Sequence, residues 1–247
     1  MEEKVLVLRC CEPDGTSHRG FRWPVSGPVE CPDWNHKPVC GNGLHGWLWG
    51  AGDSSLSHYA FIDPKTLWLV VEVLKSDIVD LGGKVKFPRG NVLYCGDRET
   101  AVKMIADKAP QGIAVMFQTL IGDSRSKLTA GDYSNVISGN YSNITVGNKS
   151  YGRVGNKSKL IGGNDSFLKS GSECLIIGGQ RSVLIGEYNS SFSAKWSCIE
   201  TLKSGFLFAD TKFKSVKFNR CDDEKLEPGV PYTVEVTNGN PQFVKIY

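Results

Sequence analysis

An eight-residue repeat runs through the middle of this chain and constrains its fold more than any other feature. Serine recurs at this spacing from Ser126 to Ser190, and Cys174 fills the one gap. Glycine recurs with the same period from Gly131 to Gly179. A period of eight does not fit the 3.6 residues per turn of an α-helix, but it suits a short strand followed by a tight corner. The repeat therefore predicts a region built from short strands.

Each octad also shows the pattern of a strand with one face in a core. The second residue after the serine is apolar in all octads but one, and the second residue after that is small in nearly all. The first set is Leu128, Val136, Ile144, Gly152, Leu160, Leu168, Ile176, Leu184 and Phe192; the second is Ala130, Ser138, Val146, Val154, Gly162, Ser170, Gly178, Gly186 and Ala194. Because alternate residues of a strand share a face, serine, apolar and small positions are expected to point inward. The repeating glycine and the residue after it are expected to form the corner, with positive φ.

Two octads are predicted to form one coil of a β-solenoid. Like strands would then stack about 4.8 Å apart, and the inward serine hydroxyls would form a ladder. In this register Leu160 and Leu168 lie inside, whereas Lys159 and Phe167 point outward. Octads with a regular glycine also suit a trimeric needle, in which three chains wind into one prism. The pattern leaves this alternative open.

The octad pattern over residues 126–193 resembles the octapeptide array of bacterial ice nucleation proteins. The resemblance implies a similar coil geometry. Ice nucleators present long ranks of outward threonine, and this chain departs from that pattern. Its outward positions include Lys127, Asn135, Tyr151, Lys159, Phe167 and Leu175. The departure argues against ice binding.

The sequence on either side of the array is aperiodic. Within residues 1–120, the segment TLWLVVEVL is typical of a buried strand, and ETAVKMIADKA places Val102, Ile105 and Ala106 at helical spacing. Residues 196–247 alternate apolar and polar residues between Pro-Gly and Asn-Gly turns, which predicts a β cap on the last coil. The predicted fold is an α+β domain over residues 1–120, an octapeptide β-solenoid over 121–195 and a short C-terminal β cap.

A second resemblance covers most of the chain. The C-G-x-G-L-H-G segment from Cys40 to Gly46, followed by an octad array and a β tail, resembles a family of uncharacterised bacterial and phage proteins. The resemblance implies this domain order and no particular activity. It also favours a role in host interaction, for example sequestering a nucleotide signal.

Composition excludes several classes of protein. Lys and Arg exceed Asp and Glu by 29 to 26, which is far from the concentrated basic charge that nucleic acid selects. No run approaches the 18 or more apolar residues of a membrane span, and the start MEEK is acidic where a signal peptide is basic. We therefore expect a cytoplasmic protein with no cofactor. Its eight cysteines are expected to be free thiols.

Chemically useful side chains are concentrated between Cys31 and Asp53. Polar and aromatic residues alternate there with glycines, so the predicted ligand-binding residues are His45, Cys40, Trp47 and Asp53. Zinc is the main alternative for this segment. Cys31, Cys40 and His45 would need a fourth ligand from Cys10, Cys11, His18 or His36, and their spacing lacks the usual C-x2-C knuckle. Packed cysteines beside a hydrogen-bonded histidine are the preferred interpretation.

Two enzymatic alternatives use the same segment. Gly43 to Gly46 is distantly similar to the His-Gly signature of ADP-ribosyl-transferring folds, with Tyr59 and Glu72 completing a His-Tyr-Glu set. Cys40 and His45 form the other candidate, a nucleophile and its base, with Asp53 as the carboxylate available to orient the imidazole. Because no paired carboxylates, triad or phosphate loop occurs in its proper context, we favour a binding or assembly protein over an enzyme.

The outward positions become more apolar toward the end of the array. The residues concerned are Ile161, Phe167, Leu175, Ile177, Val183 and Ile185. A monomer seldom leaves such a patch in water, so the sequence predicts a homo-oligomer joined partly through the later coils. The alternative is that the C-terminal tail folds over these residues.

Overall fold

The computed structural model describes two compact units. Its described residues are 2–17, 20–57, 64–187, 190–193, 198–201, 206–207, 215–218, 231–237 and 240–245. The chain divides into Met1–Gln118 and Thr119–Tyr247. Each unit has its own sheets and its own core.

The first unit is a seven-stranded antiparallel sheet with one α-helix in its described part. The strands are β1 (Lys4–Cys11), β2 (Gly27–Glu30), β3 (Leu44–Leu48), β4 (Leu67–Leu74), β5 (Val79–Asp80), β6 (Val85–Phe87) and β7 (Arg89–Gly96), and the helix is α1 (Arg98–Ala106). Their order across the sheet is β2-β7-β4-β1-β3-β6-β5. The predicted α+β class, the strand at LWLVVEVL and the helix are confirmed.

Both faces of this sheet are covered, as the residues of β1 show. Leu6, Leu8 and Cys10 pack with the helix residues Val102 and Ile105. The alternate residues Val5, Val7 and Cys11 pack with a different set that includes Trp23 and Val29. Arg9 follows the second alternation, so a charged side chain stands in a row that is otherwise apolar.

The second unit contains two parallel stacks of short strands. The strands are β8 (Thr119–Gly122), β9 (Lys127–Thr129), β10 (Asn135–Ser138), β11 (Asn143–Val146), β12 (Tyr151–Val154), β13 (Lys159–Gly162), β14 (Phe167–Ser170), β15 (Leu175–Ile177), β16 (Val183–Gly186), β17 (Ser191–Ser193), β18 (Cys198–Thr201), β19 (Phe206–Leu207), β20 (Ser215–Phe218), β21 (Pro231–Thr237) and β22 (Asn240–Lys245). The even-numbered strands from β8 to β20 are neighbours in a nine-stranded sheet that ends with β21 and β22. The odd-numbered strands from β9 to β19 form a six-stranded sheet.

Two octads make one coil, as predicted. Asn135 pairs with Tyr151 in one sheet, and Asn143 pairs with Lys159 in the other, so each strand lies beside the strand sixteen residues later in the same chain. This pairing within one chain is that of a single-chain solenoid, not of an intertwined trimer. Leu160 and Leu168 are fully buried, which confirms the predicted inward face.

The corner chemistry differs from the prediction. The array glycines do not have positive φ. Positive φ occurs instead immediately before each serine from Ser126 to Ser182 and before Cys174, at Arg125, Tyr133, Tyr141, Lys149, Lys157, Asp165, Glu173 and Arg181. Glycine is required at its positions in the array because the neighbouring coil leaves no room for a Cβ atom. A Cβ on Gly163 would lie 2.6 Å from the backbone nitrogen of Asn148, and a Cβ on Gly179 would lie 2.6 Å from that of Asn164. Adjacent coils approach too closely at this point for any side chain.

Side chains at the corners bond to the backbone of the neighbouring coil. The Ser166 hydroxyl accepts from the N–H of Ser150 (3.3 Å) and donates to the carbonyl of Gly147 (3.1 Å). Cys174 takes the same role through Sγ, accepting from Ser158. The Oδ1 of Asn148 accepts from the N–H of Asn164 (2.8 Å). The predicted serine ladder therefore exists, but it runs through backbone groups and is accompanied by a second ladder of asparagines.

The regular spacing ends after the array. Val183 pairs with Cys198, fifteen residues later, and Cys198 pairs with Ser215, seventeen residues later. The strands β18 to β20 nevertheless continue the two parallel stacks. The hairpin of β21 and β22 then adds in antiparallel orientation and ends the nine-stranded sheet as the cap. Ala194 lies outside the described residues.

Replacement of an array glycine tests this account of the corners. Gly163→Ala should destabilise the second unit by about 1–3 kcal/mol, because the new methyl group must push two coils apart. Lys159→Ala, at an exposed strand position of the same coil, should change the free energy of unfolding by less than about 0.5 kcal/mol. Urea denaturation of both variants provides the measurement. Equal stability of the two variants would refute the close-approach explanation.

Candidate functional site

The first unit contains a cavity of about 580 Å³ beside β1 and β3. Its walls come from five parts of the chain: β1, the segment around Trp23, the loop that leads into β3, the short 3₁₀ turn that ends at Leu56, and the residue just before β6. The lining residues are Arg9, Ser17, Phe21, Trp23, Cys31, Pro32, Asp33, Cys40, Gly41, Asn42, Gly43, Leu44, His45, Leu56, Ser57 and Lys84. This volume lies within the range of about 300–1,000 Å³ that is typical of small-molecule sites.

Positive charge predominates in this lining. Arg9 and Lys84 are cationic, and Asp33 is the one acidic residue among the described lining residues. The Asp33 carboxylate is already engaged, because its Oδ1 accepts from the Cys31 thiol at 2.9 Å. The guanidinium carbon of Arg9 lies 5.7 Å from the ring centroid of Trp23. Its charge is thus held in a fixed orientation at the wall.

His45 contributes a neutral imidazole. Its Nε2 accepts a hydrogen bond of 3.4 Å from the N–H of Gly41. Burial, together with the positive charges of Lys84, Arg9 and Lys86, lowers the pKa of His45 to about 4. At neutral pH the ring therefore carries one N–H donor and one acceptor and no charge.

Two aromatic rings form part of the wall. Phe21 and Trp23 contact each other edge to face, with their centroids 5.6 Å apart. Trp23 is only 4% exposed, and its indole N–H has no acceptor in the part of the chain that the structure describes. A buried donor without a partner costs about 1–3 kcal/mol.

The glycines of the loop serve packing and turning. Gly41 and Asn42 have positive φ, which lets the chain reverse before β3. A Cβ on Gly43 would lie 3.1 Å from the Trp34 ring, and one on Gly46 would lie 2.6 Å from the carbonyl oxygen of Leu8. The C-G-x-G-L-H-G segment thus crosses its neighbours closely and leaves His45 at the cavity.

Two of the four predicted site residues reach the cavity. His45 and Cys40 both line it. Trp47 instead belongs to the core beneath the helix, where it stacks on Trp68, and its indole N–H donates to the carbonyl of Asp53 at 3.0 Å. The Asp53 carboxylate accepts from the N–H of Ser55 and caps a short 3₁₀ turn.

The alternative zinc site is not assembled. Cys31, Cys40 and His45 line the same cavity, yet the described residues contain no group of three or more His, Cys, Asp or Glu side chains that could hold a metal ion. Burial raises the pKa of Cys31 to about 11, so its thiol is protonated at neutral pH. Of the proposed fourth ligands, Cys10 contacts Ser57, and His18 lies outside the described residues.

The two enzymatic arrangements are also incomplete in the described structure. Glu72 lies on β4, pairs with Lys4 at 2.8 Å and lines a separate cavity of about 510 Å³, away from His45. Tyr59 lies outside the described residues. Asp53, the carboxylate expected to orient His45, caps the 3₁₀ turn instead.

Sequence reasoning missed the cationic and aromatic walls. Arg9, Trp23 and Lys84 come from segments distant in sequence, and only the strand order brings them together. A signal was present for Arg9, since it is the one charged residue in the apolar stretch VLVLRCC. Its neighbours Leu8 and Cys10 and the next residues on its own face, Val7 and Cys11, are all buried. A charged residue in such a row often faces a cavity or a partner.

No helix in the described residues is both long enough and apolar enough to cross a membrane.

Comparison with known proteins gives one family model and a set of partial relatives. Residues 5–104 match a family model described as a domain of unknown function (DUF7666). Ice nucleation proteins are 40% identical over 111 residues in Xanthomonas campestris pv. translucens and 45% identical over 108 residues in Pseudomonas fluorescens. The ice nucleation protein InaU of Pantoea ananas is 43% identical over 109 residues.

These matches are partial on both sides. They cover 44%, 42% and 42% of this chain, but only 7%, 9% and 10% of the respective relatives. The chain thus matches a tenth or less of the length of each. No solved structure matches it. The comparisons confirm the resemblance to ice-nucleation-type repeat proteins and place beside it a domain that has no assigned activity.

Proposed function

We propose that the first unit binds a small anionic molecule carrying a planar ring, such as a nucleotide, and that the repeat array is the scaffold that assembles copies of this module. The observation that carries the proposal is the cavity itself. It combines Arg9 and Lys84 with the rings of Phe21 and Trp23 in one enclosure of about 580 Å³. Cations recognise phosphate or carboxylate, and ring faces recognise a planar group.

Different residues of the cavity would bind different parts of the ligand. Arg9 would take the anionic group, because a guanidinium forms paired hydrogen bonds to phosphate oxygens. Neutral His45 and the indole N–H of Trp23 would bond to polar atoms of the ring. The wall of Gly41, Asn42 and Gly43 would allow close approach of the ligand to the backbone.

The same geometry favours binding over catalysis. Asp53, the carboxylate expected to orient His45 beside the candidate nucleophile Cys40, caps a 3₁₀ turn instead, so that catalytic arrangement is incomplete in the described residues. The resemblance to bacterial and phage proteins favours a role in host interaction, and capture of a nucleotide signal would be one form of that role.

The array itself does not favour ice binding in this chain, although its relatives are named for ice nucleation. One outward rank of the six-stranded sheet runs through Thr129, Thr145, Ile161 and Ile177, which are in register on successive strands. Threonine thus gives way to isoleucine after two coils. The adjacent rank holds Lys127, Asn143, Lys159 and Leu175. Neither is a continuous threonine surface.

Assembly would use one face of the array. Alternate octads belong to different sheets, so the six apolar residues predicted to form a contact are divided between two faces. Phe167, Val183 and Ile185 lie on the nine-stranded sheet; Ile161, Leu175 and Ile177 lie on the six-stranded sheet. The first face is the better candidate, because Tyr151, Phe167 and Val183 form an unbroken rank in which the rings of Tyr151 and Phe167 stack 5.6 Å apart.

Calorimetric titration of the full chain tests the ligand proposal. Adenosine, AMP, ADP and inorganic phosphate are the probes, and AMP or ADP should bind at least tenfold more tightly than adenosine. Arg9→Met and His45→Ala should each weaken AMP binding by tenfold or more, because each removes a cavity group. Lys75→Met is the matched control, since Lys75 is exposed, pairs with Glu3 and should not affect binding. Adenosine binding as tightly as AMP, or no binding of any probe at millimolar concentration, would overturn the proposal.

The neutral state of His45 predicts a pH dependence of stability. Its pKa is about 4 in the folded protein and near 6.5 in the unfolded chain, so between these values the unfolded chain binds more protons. The free energy of unfolding should therefore fall as pH decreases from about 6.5 to 4, and His45 should contribute no slope above that range. Urea unfolding followed by Trp fluorescence measures this effect. His45→Gln should reduce the slope, and an unchanged slope would contradict the assignment.

Light scattering tests the assembly proposal. Wild-type protein at micromolar concentration should exceed the 27.1 kDa of one chain. Val183→Lys with Ile185→Lys should give a folded monomer, whereas Leu175→Lys with Ile177→Lys, on the other face, should leave the oligomer intact. Circular dichroism checks that both variants are folded. A monomeric wild-type protein would end the proposal.

A further inference from the structure

Lys86 is the most unusual charged residue in the first unit. It lies in β6 between Val85 and Phe87, and its exposed fraction is 0%. Its Nζ donates to the carbonyls of Val39 (3.0 Å) and Gly41 (3.4 Å). The same nitrogen lies 5.5 Å from the centroid of the Trp34 ring. Within the described residues no carboxylate forms an ion pair with it.

A charged amine in this position is not explained by the stability of the fold alone. Removing an ammonium group from water without a counterion is costly, and two carbonyl dipoles and a ring face compensate only in part. A methionine would fill the same space between Val85 and Phe87 without that cost. The lysine is better explained by the two carbonyl groups that it binds, those of Val39 and Gly41, and by its positive charge.

Lys86 holds the wall of the cavity from behind. Its two carbonyl partners flank Cys40, and a Cβ on Gly43 would lie 3.4 Å from its Cδ. Gly41 in turn donates its N–H to His45. The loop that Lys86 fixes supplies Cys40, Gly41, Asn42 and Gly43 to the lining, although Lys86 itself does not line the cavity.

The charge of Lys86 also reaches the cavity. It is one of three cations, with Lys84 and Arg9, that disfavour protonation of His45. It also acts on the Cys31 thiol across the lining. The positive charge of Lys86 would attract an anion in the cavity. Because Lys86 is already buried, this attraction would require no further loss of water from its ammonium group.

We propose that Lys86 is a positioning residue for this cavity: it fixes the Cys40–Gly43 wall through two carbonyls and adds buried positive charge behind it, without touching the ligand. The part concerning the ligand rests on the proposed function. The part concerning the wall and His45 does not.

The test compares Lys86→Met with wild type in the full chain. NMR titration should show the pKa of His45 rising, since one neighbouring cation is lost. Hydrogen exchange of the Gly41 amide should become at least tenfold faster, because its loop loses two bonds. AMP should bind at least fivefold more weakly, while the thermal unfolding midpoint should not fall. Lys103→Met, on the exposed face of α1, is the control and should change none of these values.

A second variant separates the bonds from the charge. Lys86→Gln can still donate to a carbonyl, so Gly41 exchange should stay near that of wild type while the pKa of His45 still rises. It also replaces Lys86→Met as the test if that variant does not fold. An unchanged pKa of His45 in either folded variant, or unchanged Gly41 exchange in Lys86→Met, would overturn the positioning role. If wild type binds none of the nucleotide probes, the ligand proposal fails, and the His45 and Gly41 measurements still decide the role of Lys86.

Discussion

The array depends on side chains that satisfy the backbone of the next coil. Strands in a parallel stack bond to each other, but at each corner the chain leaves the strand and its N–H groups lose those partners. Ser150 and Ser166, and likewise Asn148 and Asn164, restore them across a sixteen-residue step. An acceptor must therefore recur at the same place in every octad. This requirement accounts for the strict period, and the glycine accounts for how closely the coils can approach.

The same interaction shows which departures the repeat tolerates. Cys174 replaces a serine without breaking the ladder, because its sulfur accepts from Ser158 and donates to the carbonyl of Gly155. Ser172 and Gln180 follow the repeating glycine where asparagine or aspartate is usual, and each still gives its N–H to the asparagine one coil earlier. The backbone donor is present in any residue except proline. The acceptor side chain is what the next coil needs.

Local patterns predicted the array well because its contacts repeat the sequence period. The inward positions of Leu160 and Leu168 follow from alternation alone. The conformation of the corner did not, because residue type suggested flexibility for the glycine when distance between coils was the actual constraint. The cavity was harder to predict from the sequence than the array. The sequence around His45 and Cys40 marks them as candidates, but Arg9 lies near them only because β1 pairs with β3. Trp47 stands in the same segment, yet its indole N–H already donates to the carbonyl of Asp53.

The alternation of octads between two sheets has a consequence for how such an array can change in length. Gain or loss of two octads keeps each later residue on its own face and simply lengthens or shortens the stack. Gain or loss of a single octad preserves the serine and glycine ladders but moves every later strand to the opposite sheet. Tyr151, Phe167 and Val183 would still stack on one another, yet as a rank they would face the other way relative to the first coils. Duplication within the gene can thus relocate an entire surface without altering a single residue of it.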